Sequence, residues 1–242
     1  MYQVVGYHRP TSLPEALHLM ASHDRVALAG GVHLHHDGGA TPTEVVDLQA
    51  MGLDSIDVES SSARLGAMVR LQAVVDDQRL PATIRDAAKA EQPSSLRTLA
   101  TVGGTVATAS GDSLLLAALL AHDSMVRLVS DAEGERSVSL STLLAEGRRP
   151  GELITDVSVE TSGRSAIART GRTPGDTPIV GVVARRREAG TAFGLCGVGE
   201  IPIRLGSDQL GSLQPIDDHR ATSTYRSHLV EVLTGRTLEV LS

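Results

Sequence analysis

The sequence predicts an α+β protein, and three observations predict it. The first fifty residues alternate short apolar runs with one helical stretch. The middle mixes strand-like alternation with helices, including the longest apolar run, Leu114–Ala121. Beyond about residue 161, two strand-like runs precede a C-terminal segment with helical spacing. The chain has 242 residues, enough for one large domain or two unequal ones with a core that needs no disulfide. Hydrophobic residues at 41% and charged residues at 21% place it among globular rather than disordered chains.

In the N-terminal part, residues 2–5 read as a strand. Ser12-Leu13-Pro14-Glu15 reads as a capping box, with Ser12 accepting from the Glu15 amide and Glu15 reaching back to Ser12. Pro14 suits a first turn, where its missing N–H has no helical partner. Leu13, Ala16, Leu17 and Met20 then share one helical face. Residues 26–29 and 45–48 read as buried strands, the first broken by Gly30-Gly31, so this part forms a small α/β layer.

In the middle part, Ile56 and Val58 alternate with Asp57 and Glu59 as in a half-exposed strand, and residues 64–68 give another. Helices are expected over 71–77, 81–90 and 114–121. The stretch 101–111 is rich in small residues. Residues 125–129 and 136–140 form a hairpin around Asp131-Ala132-Glu133-Gly134, and 152–159 is a further strand. In the last part, 179–184 and 193–198 read as paired strands. Tyr225, Leu229, Val232, Leu233 and Leu238 mark a helix face. A domain boundary is expected near 162, and Arg185-Arg186-Arg187 is expected to face solvent.

Several function classes lose support at once. Net charge is −7, from 22 basic against 29 acidic residues, which disfavours a nucleic-acid or anionic-membrane surface. Three Tyr, one Phe and no Trp make a base-stacking platform hard to build. Single Cys196 cannot form an internal disulfide or an all-cysteine cluster, and it reads as a buried small hydrophobe. No run is long enough to span a bilayer, and the N-terminus has no signal-peptide pattern, so a cytoplasmic location is expected. No Gly-x-Ser-x-Gly elbow supports a hydrolase.

Two glycine pairs carry the functional reading: Ala29-Gly30-Gly31, directly after a strand, and Thr101-Val102-Gly103-Gly104-Thr105. Glycine lets backbone amides approach a ligand, and successive amides in such a turn make a nest for an anion such as a pyrophosphate. A lone Gly-Gly is more often only a tight turn. Neither pair is a dinucleotide fingerprint or a Walker motif. His33, His35 and His36 cluster in one loop; a solvated loop is the simpler reading, and no metal site is expected.

A resemblance adds to these readings. Tyr7-His8-Arg9-Pro10-Thr11-Ser12-Leu13-Pro14-Glu15-Ala16-Leu17, Ala27-Leu28-Ala29-Gly30-Gly31, Val45-Val46-Asp47-Leu48, Leu65-Gly66-Ala67 and Leu96-Arg97-Thr98-Leu99-Ala100-Thr101-Val102-Gly103-Gly104 follow one another in order. Together they resemble the FAD-binding (medium) subunits of the molybdopterin dehydrogenase family, of the xanthine/carbon monoxide dehydrogenase type. Arg172-Thr173-Pro174-Gly175-Asp176 and the tail from Ser223 to Leu229 resemble the family's later blocks.

The resemblance implies an α+β, vanillyl-alcohol-oxidase-type FAD-binding fold over 1–162, in two subdomains split near 55. A small α+β C-terminal domain over 163–242 would follow, similar to that of the carbon monoxide dehydrogenase flavoprotein. It implies FAD as cofactor, held by Ala29, Gly30, Gly31, Val32, His33 and Leu34 on one side and by Thr101, Gly103, Gly104 and Thr105 on the other. Asp112 stands where the family has an acid bonding FAD hydroxyls. No protein residue is expected to be catalytic.

The implied role is electron transfer. Electrons come from a molybdopterin-binding large subunit through a 2Fe-2S small subunit to FAD, then to a small-molecule acceptor. Departures from the family pattern are Thr105 for Asn, Thr98 for the Asn of an Arg-Asn turn, no Pro before Asp112, and Thr177 for a Tyr. Two other readings stay open: a stand-alone FAD-dependent oxidoreductase, and a non-catalytic descendant that kept the fold and lost FAD.

Overall fold

The computed structural model describes residues 3–22, 24–32, 42–171, 173 and 176–242. Strands β1 (Gln3–His8), β2 (Arg25–Leu28) and β3 (Pro42–Asp47) form a parallel sheet in the order β1-β3-β2. Helix α1 (Leu13–Met20) covers it, with Ala16, Leu17 and Met20 against Val46 and Leu48. Ser12 caps α1 by accepting from the Glu15 amide at 3.4 Å, as the sequence suggests. The reciprocal bond differs: Glu15 accepts from the Thr11 amide at 3.0 Å, one residue before the expected one.

The second sheet is antiparallel. It contains β4 (Ile56–Val58), β5 (Ser62–Gly66), β6 (Met125–Ser130), β7 (Gly134–Ser139) and β8 (Leu153–Glu160), in the order β4-β5-β8-β6-β7. Between β5 and β6 run α2 (Leu71–Asp76), α3 (Ala82–Glu91), α4 (Ser94–Arg97), α5 (Val102–Thr108) and α6 (Leu114–Ala121); α7 (Leu140–Glu146) follows β7. Every residue of α6 is buried, as a helix apolar on all sides requires. Ser113 starts it by accepting from the Leu116 amide at 3.1 Å.

The third sheet holds β9 (Arg164–Arg169), β10 (Gly181–Arg187), β11 (Gly190–Cys196) and β12 (Ile203–Gly206), antiparallel in the order β12-β11-β10-β9. One face carries α8 (Ser223–Leu241), packed on Val182, Ala184, Phe193 and Leu195. The other meets α6. Gly194 makes that approach possible, because a Cβ there would stand 1.8 Å from the Ala117 carbonyl oxygen.

Some expectations need correction. Residues 102–108 are helical, where the resemblance implied a loop over 101–105. Thr101 caps the helix and outweighs the poor helix propensity of two adjacent glycines. Helices α4 and α7 and strands β9 and β12, short and weakly patterned, escape a periodicity reading. Arg185 is fully buried rather than solvated. Strand β10 is paired on both edges, and its alternation sends Arg185 toward α6 and Arg186 toward α8. Arg185 donates to the Ser162 carbonyl at 2.9 Å and pairs with Asp123 at 3.1 Å; desolvation lowers its pKa.

On α8 the inward face is Arg226, Leu229, Val230, Leu233, Thr237 and Leu241, while Tyr225 is exposed. Arg226 turns in because its guanidinium binds the carbonyls of Ile179 (2.8 Å) and Gly197 and pairs with Asp218 at 2.6 Å. Cys196 is buried, and burial pushes its thiol pKa up. Among the described residues, no helix is long and apolar enough to cross a membrane.

Candidate functional site

The carboxyl end of β2 and the start of α5 face each other across a cavity of about 350 Å³. Strand β2 lies at an edge of the parallel sheet, and the chain leaves it through Ala29-Gly30-Gly31-Val32. A Cβ at Gly30 would stand 1.8 Å from the Leu99 carbonyl oxygen, so only glycine lets this turn lie against the 96–100 segment. Gly31 adopts φ 72°, a left-handed conformation that costs a residue with a Cβ roughly 1–2 kcal/mol. The amides of Gly30, Gly31 and Val32 make no hydrogen bond within the described residues.

The second glycine pair is built differently. The Val102 amide donates to the Val69 carbonyl (2.9 Å), that of Gly103 to the Ala67 carbonyl (2.8 Å), and that of Gly104 to Thr101 Oγ1 (3.1 Å). These donors are engaged and form no open nest. Gly103 serves close packing, since a Cβ there would meet Ala67 Cβ at 2.7 Å. The Thr101 amide makes no hydrogen bond within the described residues, and the Thr105 hydroxyl donates to the Thr101 carbonyl at 3.1 Å.

Of the residues expected around a cofactor, Ala29, Gly30, Gly31, Val32, Thr101, Gly104 and Thr105 line this cavity. Gly103 lines an adjoining one of about 220 Å³, which shares Ala29, Gly104 and Arg148 as walls. His33 and Leu34, like His35 and His36, lie outside the described residues. Asp112 lies elsewhere, in a cavity of about 760 Å³ bordered by Asp176, Thr177, Ile179, His219 and Arg220. Arg220 pairs with the Asp112 carboxylate at 2.5 Å and donates to the Thr177 and Pro178 carbonyls at 2.7 and 3.0 Å.

Two residues here escaped the sequence reading. Arg148 is, among the described residues, the sole charged wall of the 350 Å³ cavity. Its signal is Gly147-Arg148-Arg149-Pro150-Gly151, a basic pair between two left-handed glycines. Arg220 has no comparable signal, because it meets Asp112 from 108 residues away. The first cavity is therefore lined by three successive residues whose amides make no hydrogen bond within the described residues and by a cation, with no carboxylate on its described walls. That suits a phosphate-bearing ligand.

Residues 2–160 match the family model described as the FAD binding domain in molybdopterin dehydrogenase. The chain belongs to this family. FAD is its cofactor, and the family is one of oxidoreductases. Two relatives span most of the chain. The uncharacterized protein YgfM of Escherichia coli (strain K12) is 28% identical over 251 aligned residues, covering 95% of this chain and 93% of that protein. Caffeine dehydrogenase subunit beta of Pseudomonas sp. (strain CBB1) is 28% identical over 220 residues, covering 82% and 75%.

Among solved structures, a chain of the Cu,Mo-CO dehydrogenase has TM-score 0.86 at 24% identity. A chain of quinoline 2-oxidoreductase from Pseudomonas putida 86 has TM-score 0.87 at 20% identity. Each match covers 100% of this chain and 98% of the other. At these identities the likeness shows the fold, and it extends over the C-terminal sheet and α8 that the family model leaves out.

Proposed function

We propose that this chain is the FAD-binding electron-transfer subunit of a molybdenum hydroxylase, working between iron–sulfur clusters on a partner subunit and a small external acceptor. The observation that carries the reading is the turn 30–32, whose three successive amides make no hydrogen bond within the described residues and which lines a cavity with no acid on its described walls. A pyrophosphate needs N–H donors and the absence of carboxylates, and this wall supplies both. Ala29, Gly30, Gly31 and Val32 would hold it from one side, and the Thr101 amide and the Thr105 side chain would border it from the other.

The isoalloxazine of a bound FAD supplies the redox chemistry, and the chain supplies binding, orientation and electrostatics. A single, buried cysteine leaves cluster ligation to other subunits. The partners are then a molybdopterin-binding large subunit and a 2Fe-2S small subunit, as the subunit naming of the caffeine dehydrogenase relative supports. The change of sheet between β8 and β9 supports two units, 1–162 and 163–242, the first in two parts.

One observation favours a second reading, a descendant that keeps the fold without FAD: the Asp112 carboxylate, assigned to FAD hydroxyls, is engaged by Arg220. The visible spectrum of the purified protein, before and after incubation with FAD and desalting, separates the two. A retained flavin spectrum, with the flavin reduced by substrate only when the partner subunits are present, is the expected result. A protein that stays colourless overturns the electron-transfer reading.

A further inference from the structure

The cation beside the open amides comes from far along the chain, and the loop that carries it is pinned. Arg148 follows α7, between Gly147 at φ 78° and Gly151 at φ 77°. The buried Glu152 carboxylate fixes this loop. It accepts Arg136 Nε at 2.5 Å and Nη2 at 2.9 Å, and the Arg149 amide at 2.8 Å. Those bonds, the Arg136 side chain first, hold the Glu152 carboxyl below the usual carboxylate range. Arg149 turns away to Glu133. Glu152 is thus engaged by Arg136 and does not form an ion pair with Arg148.

Within the described residues Arg148 makes one hydrogen bond, Nη1 to the Glu152 carbonyl at 2.9 Å, and no carboxylate there forms an ion pair with it. That bond aims the guanidinium and leaves most of its five N–H donors open. Arg148 borders the cavity at Gly30-Gly31 and the adjoining one. It also borders a third cavity, which Asp131, Arg149 and Glu152 line as well. Arg148 is exposed to solvent as a residue, and partial desolvation of its guanidinium lowers its pKa.

A cation so placed gains from an anionic partner. A chain of net charge −7 that receives a dianionic group needs such a local cation. We propose that Arg148 is the counter-cation of the amide cradle. Its guanidinium donates to the pyrophosphate of bound FAD and selects dinucleotide flavin over unphosphorylated flavin. This rests on the FAD-binding reading above.

The test titrates the full chain and its Arg148→Ala, Arg148→Gln and Arg148→Lys variants with FAD, ADP and riboflavin, by binding heat and flavin fluorescence. Loss of a charge-assisted contact should weaken FAD and ADP by about 10–100-fold in the Ala and Gln variants, with partial recovery in Lys. Riboflavin binding should be equal in all four. FAD affinity should fall less steeply with salt in the neutral variants. Equal FAD affinity in wild type and the neutral variants overturns the role of Arg148 and leaves FAD binding intact. A parallel loss of riboflavin binding assigns Arg148 a merely structural role and also overturns it. A wild type that takes up neither FAD nor ADP overturns both readings. Should Arg148→Ala fail to fold, Arg148→Gln, which keeps bulk and one amide donor, decides.

Discussion

Gly30-Gly31 and Gly103-Gly104 look alike in sequence and do opposite things in the fold. At the first pair the chain leaves a strand, one glycine goes left-handed, and three amides in a row make no hydrogen bond within the described residues. At the second, a helix starts at once, and its first amides are taken by Val69, Ala67 and the Thr101 side chain. The first pair lines a cavity, and the second serves helix docking. A Gly-Gly therefore carries no function by itself. What matters is whether the following residues find backbone acceptors.

The largest expected effect is at Gly30. An Ala Cβ there meets the Leu99 carbonyl at 1.8 Å, a clash with backbone that no rotamer relieves. Gly30→Ala should cost ~3 kcal/mol in denaturant unfolding and abolish FAD uptake. Wild-type stability would show that the turn does not rest on the 96–100 segment.

Buried polar groups away from the cavity offer a contrast of nearly the same size. His122 is 1% exposed; its Nδ1–H donates to the Glu160 carbonyl at 2.7 Å and its Nε2 accepts from Thr83 Oγ1 at 3.1 Å. Desolvation, the main cause, lowers its pKa from 6.5 to about 4. The folded pKa lies below the unfolded one, so the unfolded chain binds the proton first. Stability is full above pH 6.5 and falls as pH drops toward 4, by about 3 kcal/mol over that window. His122→Gln should be less stable at pH 7 and show a flatter acid limb in urea titrations. An unchanged acid limb would remove His122 from the account.

Gly103→Ala comes next, at roughly 1–3 kcal/mol from its contact with Ala67, partly relieved in the Ala67→Gly background. FAD should still bind once the protein is folded, in contrast to Gly30→Ala. The smallest effect is Thr101→Ala, which removes the cap on Gly104 at a cost of about 1 kcal/mol in unfolding experiments; Thr101→Ser should be neutral.

Much of the fold is legible in the sequence, because α1, α6 and α8 and the strands of the first two sheets carry strong periodicity or caps. The glycine turn at 30–31 is legible as a close backbone approach. What stays hidden depends on long-range pairing. The burial of Arg185 follows from β10 being an inner strand, and Arg226 turns in because the carbonyls of Ile179 and Gly197, just before β10 and just after β11, await it. The α5 helix hides behind its glycines. Arg148 becomes visible only when the loop after α7 folds back over the β2 turn.

Residue-resolved amide hydrogen exchange, with and without FAD, tests the difference between the two glycine pairs most directly. The account predicts that FAD slows exchange at Gly30, Gly31, Val32 and Thr101. It predicts that Val102, Gly103 and Gly104 are already protected and stay unchanged. FAD-dependent protection at 102–104, with none at 30–32, would contradict it.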